Sequence, residues 1–116
     1  MAVRGIRGAT TVAKNDKAEI ISATRELLQK IVADNVLKIE DIASILFSST
    51  DGLNAEFPAV AARELGWSDT ALLCMKEINV PGSLPNCIRI LLHVNSDQPQ
   101  KEIKNVYLRE AVNLRR

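Results

Sequence analysis

The chain has 116 residues, a length that fits one domain, and its 47% hydrophobic and 25% charged residues make a globular composition rather than a disordered or fibrous one. A formal net charge of +1 excludes a bulk field for nucleic acid or an anionic membrane surface, and 3% aromatic residues are too few for a base-stacking platform. The two cysteines and single histidine show no CxxC or HxxxH spacing, so a metal site built from Cys74, Cys87 and His93 has little support.

The N-terminal stretch MAVRGIRGATTV lacks an apolar signal core, and no run approaches the ~20 apolar residues of a membrane span. The expectation is a soluble, cytoplasmic protein with reduced thiols and no membrane or nucleic-acid partner. Val3 to Val12 reads as a first strand, rich in β-branched residues and interrupted by Gly5 and Gly8. Glycines inside a strand mark a bulge or a close approach by another backbone or a ligand. With period two, Val3, Gly5, Arg7, Ala9 and Thr11 share one face.

A helix follows, with Asp16 as its cap and Glu19 as the capping-box partner. Ile20, Ile21, Thr24, Leu27, Leu28, Ile31 and Val32 form one apolar face, opposite Lys17, Ser22, Glu26 and Lys30. The pattern stops near Asp34 and Asn35. Asp41 to Thr50 reads as a second strand ending in a Ser/Thr/Asp/Gly turn. NAEFPAVAARELG supplies a short second helix, with Pro58 in its first turn and Gly66 at its C-terminal cap. Thr70 to Ile78 is a third strand that runs out near Lys76, and NVPGSLPN is loop. CIRILLHV, Cys87 to Val94, is a fourth strand. A polar connection with room for one helical turn leads to a last strand candidate, Asn105 to Leu114.

This order predicts an α+β domain: a mixed sheet of about five strands with helices on one face. The opposite face is then bare, and a bare apolar face of that size implies oligomerisation. In the fourth strand Ile88, Ile90, Leu92 and Val94 suit the helix-covered face. Cys87, Arg89, Leu91 and His93 point away from it. An unpaired buried charge is costly, so Arg89 must reach water or meet an anion. Arg7 and Tyr107 can share its face, and two guanidiniums with a phenol would bind a small carboxylate or phosphate. Glu77, at a strand end, could accept from a hydroxyl of the same ligand.

Each residue also has an ordinary reading. Arg7 and Arg89 could be surface residues paired with Glu77 or Glu110, and Tyr107 a half-buried strand tyrosine. Glu77 could be a solvated loop residue, Arg63 part of a solvated helix face, and Arg115 and Arg116 a basic end. No nucleophile is paired with a base, and there is no phosphate loop. Any catalysis should therefore rest on positioning and electrostatics.

RGIRGATTV, FPAVAARELGW, CMKEINVPGSLPNCIRILLHV and VYLREAVNLR, taken in that order, resemble the AroH class of chorismate mutase. The resemblance covers most of the chain. It implies a homotrimer arranged as a pseudo-α/β barrel, with active sites between adjacent subunits, and a cofactor-free rearrangement of chorismate to prephenate. It implies that Arg89 donates to the ether oxygen of the breaking bond and to a carboxylate. Arg7 and Tyr107 then bind the enolpyruvyl carboxylate. Glu77 accepts from the ring hydroxyl, aided by the backbone around Cys74, from Leu73 to Met75. Phe57, Ala59 and Arg63 match residues that a neighbouring subunit contributes, and Leu114 and Arg115 match a segment that covers the site. Two departures stand out: Val60 occupies a position that is often lysine in the family, and the chain ends at Arg116, shortly after the covering segment.

Two rival functions remain at this level. One is a non-catalytic interface module that binds a small carboxylate in the regulation of amino-acid metabolism. The other is a different trimeric enzyme of the same architecture, such as an imine deaminase, against which the full set of blocks argues.

Overall fold

A computed structural model of the chain describes residues 1–114. Its elements are β1 (Ala2–Thr11), α1 (Lys17–Asn35), β2 (Ile42–Ser49), α2 (Ala59–Glu64), β3 (Ala71–Lys76), β4 (Cys87–Ser96) and β5 (Val106–Tyr107). The strands form one sheet in the order β3-β2-β4-β1-β5. β4 runs antiparallel to both β1 and β2, while the outer pairs β2–β3 and β1–β5 are parallel. This is the mixed five-stranded α+β sheet expected from the order of elements.

α1 begins where its cap chemistry places it. Asp16 is extended at φ −139°, and its Oδ2 accepts from Glu19 N at 3.1 Å. The expected reciprocal bond differs in its partner. Glu19 Oε1 accepts from Ala13 N at 3.0 Å, three residues before the cap, and so ties the β1–α1 loop to the helix. The helix stops at Val36, whose φ of 51° is left-handed. Buried Asn35 fastens that end: its side chain donates to Ile31 O and Lys104 O and accepts from Lys104 N.

Ile20, Leu27, Leu28 and Ile31 of α1 are fully buried, as are Ile6, Ile45, Phe47, Ile88 and Leu92 beneath the helices. Ala61 and Ala62 let α2 lie close to the same layer. The approach of α1 explains one of the strand glycines. A Cβ on Gly8 would lie 2.8 Å from Ile31 Cδ1, 3.2 Å from Leu27 Cδ1 and 3.3 Å from Val106 O. The other sheet face carries no α-helix, and Val3, Leu73 and Met75 on it are 60%, 55% and 46% exposed.

The last strand is much shorter than the predicted Asn105 to Leu114. Only Val106 and Tyr107 pair with β1, because the chain turns off the sheet at Arg109, where φ is 53°. Arg109–Asn113 then forms a 3-10 helix, closed by Ala111 N to Leu108 O and Leu114 N to Ala111 O. Alternating apolar and polar residues are compatible with both forms, and the turn at Arg109 decides between them. Side chains serve the rest of the β1 edge. Arg7 N donates to Asn105 Oδ1 at 2.8 Å, and the Gln100 amide accepts from Gly5 N and donates to Gly5 O. Such caps blunt an edge that would otherwise recruit another strand.

Because Gly8 sits under Ile31 and Leu27, Gly8→Ala should lower unfolding stability by about 1–3 kcal/mol, the usual cost of overpacking. Urea denaturation at fixed protein concentration measures this, and an unchanged midpoint would contradict the close helix–strand approach.

Candidate active site

The strand register brings residues from all five strands into one row on the helix-free face. Met75 pairs with Ser48, Ser48 with Arg89, Arg89 with Ala9, and Ala9 with Tyr107. Directly paired residues point to the same side of a sheet. One step along lies a second row, Leu73, Leu46, Leu91 and Arg7. Arg7, Arg89 and Tyr107 therefore meet, which alternation within single strands left open. They line a cavity of about 340 Å³ with Ser48, Met75, Leu46, Leu91 and Leu114. That volume suits a small organic ligand.

Arg89 reaches the cavity from a strand whose alternate residues are core. Its neighbours Ile88 and Ile90 are buried, while its own side chain is 43% exposed. Nε is buried without a hydrogen-bond partner and lies 3.4 Å from Glu77 Oε2. The same Glu77 oxygen accepts from Ser48 Oγ at 2.7 Å. Glu77 N in turn donates to Ser49 O at 2.9 Å, which fixes the carboxylate just past the end of β3. Glu77 is thus a partner of Arg89 at the cavity margin rather than a free loop residue. A ligand hydroxyl entering beside Arg89 would meet this carboxylate.

The other expected residues divide between two places. Leu73 and Met75 lie on the Arg89 face, and Leu114 overhangs the same cavity. Cys74 lies on the opposite face, paired with fully buried Phe47, and its thiol sits by the Ala59 N–H and the Arg63 guanidinium. Phe57 is 64% exposed, Ala59 is buried at the start of α2, and Arg63 is exposed on that helix. Phe57, Cys74 and Met75 border a second cavity of about 550 Å³, between the ends of β2 and β3 and the loop before α2. In a single chain, Phe57, Ala59 and Arg63 do not line the Arg89 cavity. Arg115 lies outside the described residues. Ser48 was not anticipated, since its role appears only when β2 is known to lie beside β4.

Among the described residues no three His, Cys, Asp or Glu side chains gather as a metal site. His93 instead meets Ser44 Oγ through Nδ1 at 3.0 Å. No helix among the described residues is long and apolar enough to cross a membrane.

Comparison with known proteins gives one consistent result. Residues 3–116 match the family model described as chorismate mutase type I. "Chorismate mutase AroH" of Bacillus subtilis (strain 168) is 47% identical over 116 residues, covering 99% of this chain and 91% of that protein. "Chorismate mutase AroH" of Thermus thermophilus is 48% identical over 114 residues, covering 97% and 93% respectively. The solved structure of a chorismate mutase from Clostridium thermocellum is similar at 53% identity and a TM-score of 0.91, over 92% of this chain and 96% of that one.

Burial pushes both thiols above their ordinary value. Arg89 partly opposes this at Cys87, as the Ala59 N–H and Arg63 do at Cys74. The folded chain then holds these protons more tightly than the unfolded chain. Their contribution is fully present below the unfolded thiol pKa, near 9.0, and is lost as pH rises through the higher folded value. Stability should fall above that pH, and less in Cys87→Ala than in the wild type. Urea midpoints across the alkaline range test this; equal declines in the two proteins would contradict the stated cause.

Proposed function

The chain belongs to the type I chorismate mutase family, and we propose that it converts chorismate to prephenate in the Arg7–Arg89–Tyr107 cavity, completed by a neighbouring subunit. Chorismate mutase activity, an isomerisation in aromatic amino-acid biosynthesis, follows from the family and its relatives. The observation that carries the assignment to this cavity is the alignment of Arg89 and Tyr107 in one cross-sheet row, with Arg7 in the next.

Chorismate is a flexible dianion that must fold so that the two carbons to be joined lie close together. Holding that conformer lowers the barrier by positioning. Arg7 and Tyr107 bind the enolpyruvyl carboxylate, while Arg89 faces the ether oxygen and a carboxylate. Breaking of the C–O bond runs ahead of C–C formation, so negative charge grows on the ether oxygen. A fixed guanidinium there binds the transition state more tightly than the ground state. Loss of one such donor typically costs about 2.7–4 kcal/mol, against ~8 kcal/mol for a millionfold acceleration. Glu77, braced by Ser48, accepts from the ring hydroxyl and orients Arg89 before substrate arrives. The backbone from Leu73 to Met75 assists, with Cys74.

The assembly proposed is a homotrimer that covers the helix-free faces and forms a pseudo-α/β barrel. The exposed apolar residues of that face support it. So does the separation of Phe57, Ala59 and Arg63 from Arg89 within one chain, which leaves them available to an adjacent subunit. Leu114, and Arg115 after it, would close the site.

Chorismate consumption by purified protein, with prephenate identified as product, tests the reading. Saturable binding without turnover would favour the non-catalytic carboxylate-binding module instead. Arg89→Lys keeps the charge but loses the planar fork, so it should lose most activity, and near-normal turnover would remove the assigned role. Inactive Arg63→Ala and Arg89→Ala chains, mixed and allowed to exchange, should regain activity because some sites combine intact halves. No recovery after demonstrated exchange would exclude a site shared between subunits.

A further inference from the structure

Arg109 has a positive φ of 53° and a full side chain, a combination that must be held by contacts. Those contacts are present on both sides of the residue. Before it, Leu108 N donates to Ala9 O at 2.9 Å, continuing the β5 pairing. At the turn, Arg109 Nη1 donates to Thr11 O at 3.2 Å, and Glu110 N donates to Thr11 Oγ1 at 3.2 Å. Thr11 is 4% exposed, so the anchor is part of the packed sheet. On the helix side, Arg109 Nε lies 3.4 Å from Glu26 Oε1 of α1. The neighbouring cations of α1 are engaged elsewhere, Arg25 with Glu64 and Lys30 with Asp34.

The turn sends the chain from the helix-covered side onto the opposite face. Leu108 packs against the main core, whereas Ala111 is fully buried beside Ala9 and Cys87, with Tyr107 and Leu114 against them. Two 3-10 hydrogen bonds then carry the chain to Leu114 at the cavity. Tyr107 and Leu114, both lining residues, lie on either side of one strained residue.

We propose that Arg109 is a positioning residue for substrate capture: its clasp to Thr11 and Glu26 fixes the turn that sets Leu114 against the cavity. This rests on reading that cavity as the chorismate site. Arg109 is 39% exposed in its side chain and does not line the cavity, so it acts through Leu114 and Tyr107 rather than on substrate. A loosened turn would weaken closure over bound chorismate while leaving the Arg89 chemistry in place. The effect therefore falls on KM more than on kcat.

Steady-state kinetics and melting temperatures of wild type, Arg109→Ala, Arg109→Lys and Glu26→Gln test it. Arg109→Ala should raise KM about three- to tenfold, the scale of one or two lost surface hydrogen bonds, with kcat changed by less than about twofold. Arg109→Lys should recover part of the loss, since an ammonium can reach Glu26 or Thr11 but not bridge both as a guanidinium does. Glu26→Gln should raise KM by about twofold, in keeping with one exposed ion pair. Wild-type KM in Arg109→Ala, whatever its melting temperature, would overturn the proposal by reducing the clasp to a structural contact. Should Arg109→Ala not fold, wild-type KM in both Arg109→Lys and Glu26→Gln would do the same. No conversion by the wild type would remove the functional reading and this proposal with it. Conversion with KM unmoved in the variants would remove this proposal alone.

Discussion

The antiparallel ladder between β1 and β4 is the constraint on which the molecule depends. It runs from Ala2 opposite Ser96 to Thr11 opposite Cys87 without a break. Side chains alternate along both strands, so this one register decides two things together. It puts Ile6, Ile88, Ile90 and Leu92 under the helices, and it puts Arg7 and Arg89 on the opposite face. A slip of one residue would carry the guanidiniums into the core and the isoleucines out of it. The hydrophobic layer thus guards the geometry of the cationic one. Gly8 contributes by admitting α1 close to the sheet, and the side-chain caps of Gln100 and Asn105 keep the outer edge of β1 from pairing wrongly.

Glu77 gives the arginine a partner without removing it from use. A guanidinium standing alone in a partly buried site would be expensive, and one locked in a full bidentate pair would be unavailable. The long Nε–Oε2 approach lies between these extremes, with the Ser48 hydroxyl holding the carboxylate in place. The two ordinary and functional readings of Arg89 are therefore not exclusive: it forms a salt bridge and also lines the cavity. An oriented side chain loses less freedom when a ligand arrives, and that is a large share of what preorganisation means in an electrostatic site.

Much of this was legible in the sequence. The helical period of α1, the alternation of β4 and the Pro58 and Gly66 signals around α2 follow from short-range chemistry, and each element formed where that chemistry places it. The direction in which Arg89 points also followed, since the aliphatic residues on either side leave it no other choice. What alternation cannot supply is which strands are neighbours. Ser48 was missed for that reason, as it matters only through lateral pairing with Arg89. Cys74 and Met75 are adjacent in sequence but on opposite faces, so of this contiguous motif only Met75 reaches the Arg89 cavity, while both border the second one. At the C-terminus, the apolar pattern suited a long strand, and a single left-handed residue replaced most of it with a 3-10 helix.

The cross-sheet row has a consequence for how the protein reaches its working state. Met75, Ser48, Arg89, Ala9 and Tyr107 come from five strands, and Ala9 and Tyr107 stand near opposite ends of the chain. No fragment contains the site, and no local hairpin assembles part of it early. Pairings this distant in sequence are slow to form, because loop closure precedes the contacts that reward it. The two-residue β5, docking on a β1 already paired with β4, is suited to close last. Recovery of turnover would then lag recovery of helical signal during refolding, with activity serving as the clock of the final strand.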